Sequence, residues 1–134
     1  MDAKRFTAIT HLVLSTGVAA FQVALAAGAP WGSYAMGGAF PGQFPPSMRV
    51  AALTQAVLLM LMTGVVLARA GVALARWQAM SRWAVWLVVA FAVVSLVLNL
   101  ATPSAGERMI WAPVTLFLLA CSLVVALGRM RSRR

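Results

Sequence analysis

Four long windows without a single Lys, Arg, Asp or Glu decide what this chain can fold into. They run from Phe6 to Met48, Val50 to Ala68, Trp83 to Gly106 and Met109 to Gly128. A hydrocarbon core about 30 Å thick requires roughly 20 apolar residues in a helix. The last three windows each fit one such span. The first is too long for one and is broken by a Pro- and Gly-rich stretch that starts at Gly28. The reading is an all-α integral membrane four-helix bundle forming one transmembrane domain, with helices near 7–27, 50–68, 83–101 and 109–128. A β-barrel needs alternating segments of about ten residues, which this sequence lacks. Composition agrees, because 63% of the 134 residues are hydrophobic and only 10% charged. Soluble domains carry about 25% charged residues, and a soluble chain of this size cannot hide so much apolar surface. Disordered chains are poor in apolar residues, which excludes disorder as well.

The basic residues set an orientation. Lys4 and Arg5 precede the first helix, Arg69, Arg76 and Arg82 lie in the 69–82 connection, and Arg129, Arg131, Arg133 and Arg134 form the 129–134 tail. Only Arg49 and Arg108 fall on the other side. Because basic residues concentrate on the cytoplasmic side, both termini are expected in the cytoplasm, in a bacterial plasma membrane. The same basic segments should attract anionic lipid head groups, and so short a tail does not suit nucleic acid. A rival reading takes Lys4, Arg5, the apolar run and the small residues Ala27, Gly28 and Ala29 as a signal peptide. His11, Ser15 and Gln22 interrupt that run, which favours an uncleaved first helix.

All six prolines fall on the outer side of this topology. In the 28–49 connection, Pro fixes φ and Gly permits positive φ, so the spacing specifies turns, and a flexible linker would be Gly/Ser-rich without aromatics. Trp31, Tyr34, Phe40 and Phe44 supply apolar area, and the segment reads as an ordered extracytoplasmic cap.

Two motifs carry a resemblance. Gly28, Ala29, Pro30, Trp31 and Gly32 are followed by Gly37 and Gly38, Pro41 and Gly42, Pro45 and Arg49. The second motif holds Asn99, Thr102, Pro103, Ser104, Glu107, Arg108, Trp111, Ala112 and Pro113. Together they resemble a family of small four-helix integral membrane proteins of bacteria, over almost the whole chain. The resemblance implies four spans and a bacterial plasma membrane, and it carries over no catalytic residues. Ser33 and Met36 stand where the family pattern has an acidic residue and an aromatic or Met, which weakens any role for a charged first loop.

Ser104 and Glu107 have the spacing of a capping box, in which side chains and opposed backbone N–H groups satisfy each other. A helix starting there should kink at Pro113. Glu107 and Asp2 are the only acids. Glu107 is expected as a cap that pairs with Arg108 or Arg49.

With charges absent, polar residues inside the spans remain to carry function. Thr7, His11, Ser15, Val18 and Gln22 share one face of the first helix, and Thr16, Ala20, Ala24 and Gly28 form a second stripe for close helix approach. Gln22, Gln55, Asn99 and Thr115 each lie within roughly 8 Å of the outer end of their span. Polar groups in hydrocarbon must be paired or face inward. The expected ligand site is therefore Gln22, Gln55, Asn99 and Thr115, under Trp31, Tyr34 and Trp111. Interhelical hydrogen bonding is the plainer alternative. His11 has no second ligand for a metal, and Cys121 reads as a small core residue. One Cys excludes an intramolecular disulfide. Trp77, Trp83 and Trp86 on the inside and Trp31 and Trp111 on the outside match interfacial belts.

No catalytic or metal-binding residue and no cofactor emerge. His11 and Glu107 are expected on opposite membrane faces, about 30 Å apart, and no paired carboxylates or nucleophile motif occur. The function that fits is non-enzymatic binding of a neutral or amphiphilic ligand (a lipid, quinone or isoprenoid type) or of a membrane partner. An oligomeric small-solute transporter or channel is the alternative, and an enzyme acting on a lipid-like substrate a weaker one. A homo-oligomer fits either class, since four short helices enclose little volume.

Overall fold

Residues 2–129 are described by the structure, a computed structural model, so Arg131, Arg133 and Arg134 of the basic tail lie outside the described residues. Four helices run α1 Ala3–Ala26, α2 Pro46–Arg69, α3 Gln78–Ala101 and α4 Ala105–Leu127. No strand occurs among the described residues. Each helix is long and apolar enough to cross a membrane.

Local chemistry explains where the helices start, in each case earlier than the charge-free windows. The Asp2 side chain accepts from the Arg5 N–H at 2.9 Å and caps α1, so the helix opens at Ala3. Pro46 occupies the first turn of α2, where its fixed φ suits a helix start. Ser104 Oγ accepts from the Glu107 N–H at 3.2 Å and opens α4 at Ala105. α3 starts at Gln78 and takes Arg82 into its first turns. Charge-free windows report what lipid tolerates, whereas caps decide where backbone hydrogen bonding begins, and long basic side chains reach back toward water. α4 continues as one helix through Pro113.

Each helix packs on its sequence neighbours, and α1 closes the ring against α4. One end of the bundle holds Asp2, the 70–77 connection and Arg129; it is termed the terminal end. There Ala8, Val66, Ala70, Val85, Val88, Val89, Val125 and Ala126 from all four helices form one core. The Gly128 carbonyl at the end of α4 accepts from Lys4 Nζ and Arg69 Nη2, both at 3.2 Å, tying α1 and α2 to α4. These cations satisfy a carbonyl that the helix end leaves open.

The loop end, with the 27–45 and 102–104 connections, is built differently. Its core is Leu25, Ala35, Phe44 and Ala52, from α1, the first connection and α2 only. The last buried residue of α3 is Ala92, and none follows before Thr102. The second half of α3 is therefore at most half-buried, and the bundle is tighter at one end than at the other.

Two expectations about helix faces change. Ala8, His11, Ser15, Ala19 and Leu25 are the buried residues of α1, whereas Thr16 and Ala20 of the second stripe are exposed. Thr16 Oγ1 donates to its own helix at Leu12 O, 2.7 Å away, so it needs no partner helix. Trp111 leaves the belt: it is half-buried, with its ring 4.7 Å from that of Phe21. Trp31, Trp83 and Trp86 stay exposed.

Candidate functional site

The open half of the bundle encloses a cavity of about 720 Å³, within the range of small-molecule sites. All four helices and the first connection contribute to it. Of the seven residues expected from sequence, Gln22, Gln55, Asn99, Thr115, Tyr34 and Trp111 line it together. Trp31 does not. Its ring stacks on Phe21, with centroids 6.0 Å apart and planes 9° from parallel.

The polar tier is satisfied unevenly. Asn99 Nδ2 donates to Ser95 O at 2.8 Å, and Thr115 Oγ1 lies 2.8 Å from Trp111 O and 3.1 Å from Ala112 O. Those two groups return to their own helix. Gln22 and Gln55 make no side-chain hydrogen bond among the described residues, and Gln55 is exposed. Below this tier the wall is apolar, with Val18, Leu58, Leu59, Met62, Val88 and Leu118.

Glu107 stands at the rim, and its role differs from the expected one. The first half of the capping box forms, as described for α4. The second half does not: the Ser104 N–H donates to Thr102 Oγ1 at 3.3 Å, not to the Glu107 carboxylate. Glu107 Oε2 instead accepts from the Gly37 N–H at 2.9 Å and from Thr102 Oγ1 at 2.8 Å. The expected ion pair is absent too. Arg108 Nη2 donates to Thr102 O at 2.9 Å and Arg49 Nε to Phe44 O at 2.8 Å. Both arginines close loop carbonyls that the turns leave unpaired, so neither is turned toward the carboxylate.

The two loop motifs pack on each other around this acid. Ser104 Oγ donates to Ser33 O at 2.8 Å and Trp111 Nε1 to Tyr34 O at 2.8 Å. Gly37 has φ +69, a left-handed value that a side chain resists, and a Cβ there would meet Pro103 Cδ at 3.5 Å. A Cβ on Gly106 would sit 2.7 Å from the Tyr34 ring, so only glycine admits this approach.

His11 also lines the cavity, at its floor. It is not on a membrane face opposite Glu107: α1 starts at Ala3, which places His11 roughly 12 Å inside the helix end. His11 Nδ1 and Ser15 Oγ share a hydrogen bond at 3.2 Å. Ser15 is 0% exposed, so this pair presents no nucleophile to the cavity. No group of three or more His, Cys, Asp or Glu able to hold a metal occurs among the described residues. Sequence reasoning missed Thr102, Ser95 and Gly37 as site residues. The only signal for Thr102 was its place beside Pro103 and Ser104 in the second motif.

The opening of the cavity follows from exposure. Its lining residues on α1 (His11, Val18, Phe21, Gln22) and α4 (Trp111, Val114, Thr115, Leu118) are buried or half-buried. On α2 and α3, Gln55, Leu58, Phe91 and Leu98 line it and are exposed. Tyr34 and Pro103 line it and are exposed as well, so the cavity opens both sideways, between the loop-end halves of α2 and α3, and at the loop end.

Comparison with protein-family models gives no match, and none is found among curated proteins or solved structures.

Proposed function

We propose that this protein is a non-enzymatic integral membrane protein of the bacterial plasma membrane that binds an amphiphile in the cavity. The excess of Lys and Arg at the terminal end puts both termini in the cytoplasm and the loop end outside. The first connection then acts as an outer cap, and the α2–α3 gap opens into the outer leaflet. Anionic lipids would gather at the cytoplasmic face, where each basic residue near the surface is worth about 1 kcal/mol.

One observation carries the reading: a cavity with a polar rim (Glu107, Thr102, Asn99) and a mostly apolar wall below it opens sideways through exposed apolar residues. An amphiphile has the same order of chemistry along its length. It can slide in from lipid without its tail crossing water, while its head reaches the rim.

Native mass spectrometry of the protein in nanodiscs made with a bacterial lipid extract tests this. A stoichiometric lipid-like mass is expected, and it should be lost in Val114→Phe, which fills the cavity wall. A clean protein mass, or an adduct that Val114→Phe retains, overturns the proposal.

A further inference from the structure

Glu107 is 9% exposed and lines the cavity rim. Its two hydrogen bonds, from Gly37 N–H and Thr102 Oγ1, both reach Oε2. Oε1 has no partner among the described residues and is not among the fully enclosed unpaired atoms. Glu107 lines the cavity, so Oε1 is the oxygen left to meet what enters. A buried carboxylate is stabilised by hydrogen-bond donors, and a paired cation adds to them. This chain carries 11 basic residues against two acids. Even so, no Lys or Arg lines the cavity, and Arg49 and Arg108 are engaged with carbonyls. A cationic group entering the cavity would meet this acid with no Lys or Arg competing for it.

The neighbouring walls suit a cation as well. Tyr34, Trp111 and Phe21 bring three aromatic rings to the loop-end half of the cavity. Ring faces attract ammonium groups, more strongly where water is excluded. Trp111 is four residues after Glu107 on α4, one helical turn deeper on the same face. An anionic head group would meet the opposite arrangement, a carboxylate with no compensating base.

We infer that the cavity takes an amphiphile whose head group is an ammonium, with Glu107 Oε1 as its counter-ion and the aromatic wall around it. This rests on the amphiphile reading above and narrows it. The ammonium could belong to an amino phospholipid or to a simple long-chain amine.

The test uses the full chain in phosphatidylglycerol nanodiscs, loaded in turn with hexadecylamine, phosphatidylethanolamine, hexadecanol or hexadecyl phosphate at equal mole fraction. Bound fraction is read by native mass spectrometry, with thermal unfolding as a check on folding. Hexadecylamine is expected to bind about tenfold more tightly than hexadecanol, and hexadecyl phosphate more weakly than either. Glu107→Gln keeps an acceptor for Gly37 and Thr102, so it should remove the amine preference and retain hexadecanol binding. Phosphatidylethanolamine retained ahead of hexadecylamine would make an amino phospholipid the source, and hexadecylamine ahead would make it a simple amine. Both support the ammonium site. Equal binding of amine and alcohol, or a preference that survives Glu107→Gln, overturns the ammonium site and leaves the amphiphile reading standing. Binding of none of the probes overturns both.

Discussion

The Gly37 N–H donates to Glu107 Oε2 at 2.9 Å across 70 residues of sequence. This bond joins the first connection to the start of α4 and holds the one buried acid at the cavity rim. Gly37 reaches it with φ +69, so the backbone conformation of one loop and the side chain of another helix are specified together.

Glu107→Ala should destabilise the protein by about 1–3 kcal/mol, because the Gly37 N–H and the Thr102 hydroxyl both lose their acceptor. Glu107→Gln keeps that acceptor and should cost less than about 1 kcal/mol. Reversible unfolding in mixed micelles compares the two. Equal losses in both variants contradict the hydrogen-bond role.

Gly106→Ala brings a methyl to 2.7 Å from the Tyr34 ring and should cost about 1–3 kcal/mol by overpacking. Tyr34→Ala removes the obstacle. In a double-mutant cycle the pair should therefore cost roughly 1 kcal/mol less than the sum of the single changes. Strict additivity means that the two residues do not press on each other.

Arg69 has Nε and Nη1 buried without partners among the described residues, while Nη2 donates to Gly128 O. Arg69→Met removes unmet donors together with one bond, so its net effect should stay within about 1 kcal/mol. Lys4 Nζ still serves the same carbonyl. Lys4→Met combined with Arg69→Met leaves Gly128 O with neither cation and should cost more than the sum of the two. The same unfolding measurement reads the coupling, and a sum without excess refutes a shared role.

Orientation has its own test. Gln43 and Arg76 are exposed at opposite ends of the bundle, and the native Cys121 is buried. An impermeant maleimide should label Gln43→Cys on intact cells and Arg76→Cys only after permeabilisation. The reverse pattern would turn the molecule over and put the cavity in the inner leaflet.

Particular residues show how far the sequence could be read. The four spans were legible from Arg49, Arg69, Arg82 and the pair Glu107 and Arg108, since charges bound what lipid can hold. Gln22, Gln55, Asn99 and Thr115 were recognisable as inward-facing polar residues, and all four line one cavity. They do not share one depth: α2 starts at Pro46 and α4 at Ala105, which sets Gln55 and Thr115 deeper than Gln22 and Asn99. Trp31 was misplaced because aromatic composition does not say which ring faces in, and here Phe21 intervenes. The stripe at Thr16 and Ala20 failed for a related reason. Small residues permit close approach without requiring it.

The number and order of the helices were thus determined by the sequence alone, through the cost of placing charge and unpaired backbone in hydrocarbon. The partners of Glu107, the depth of His11 and the gap between α2 and α3 were decided only by the tertiary structure. In water, alternation of polar and apolar residues marks the inward face of a helix. In lipid both faces are apolar, and packing and a few long-range hydrogen bonds select which one turns inward.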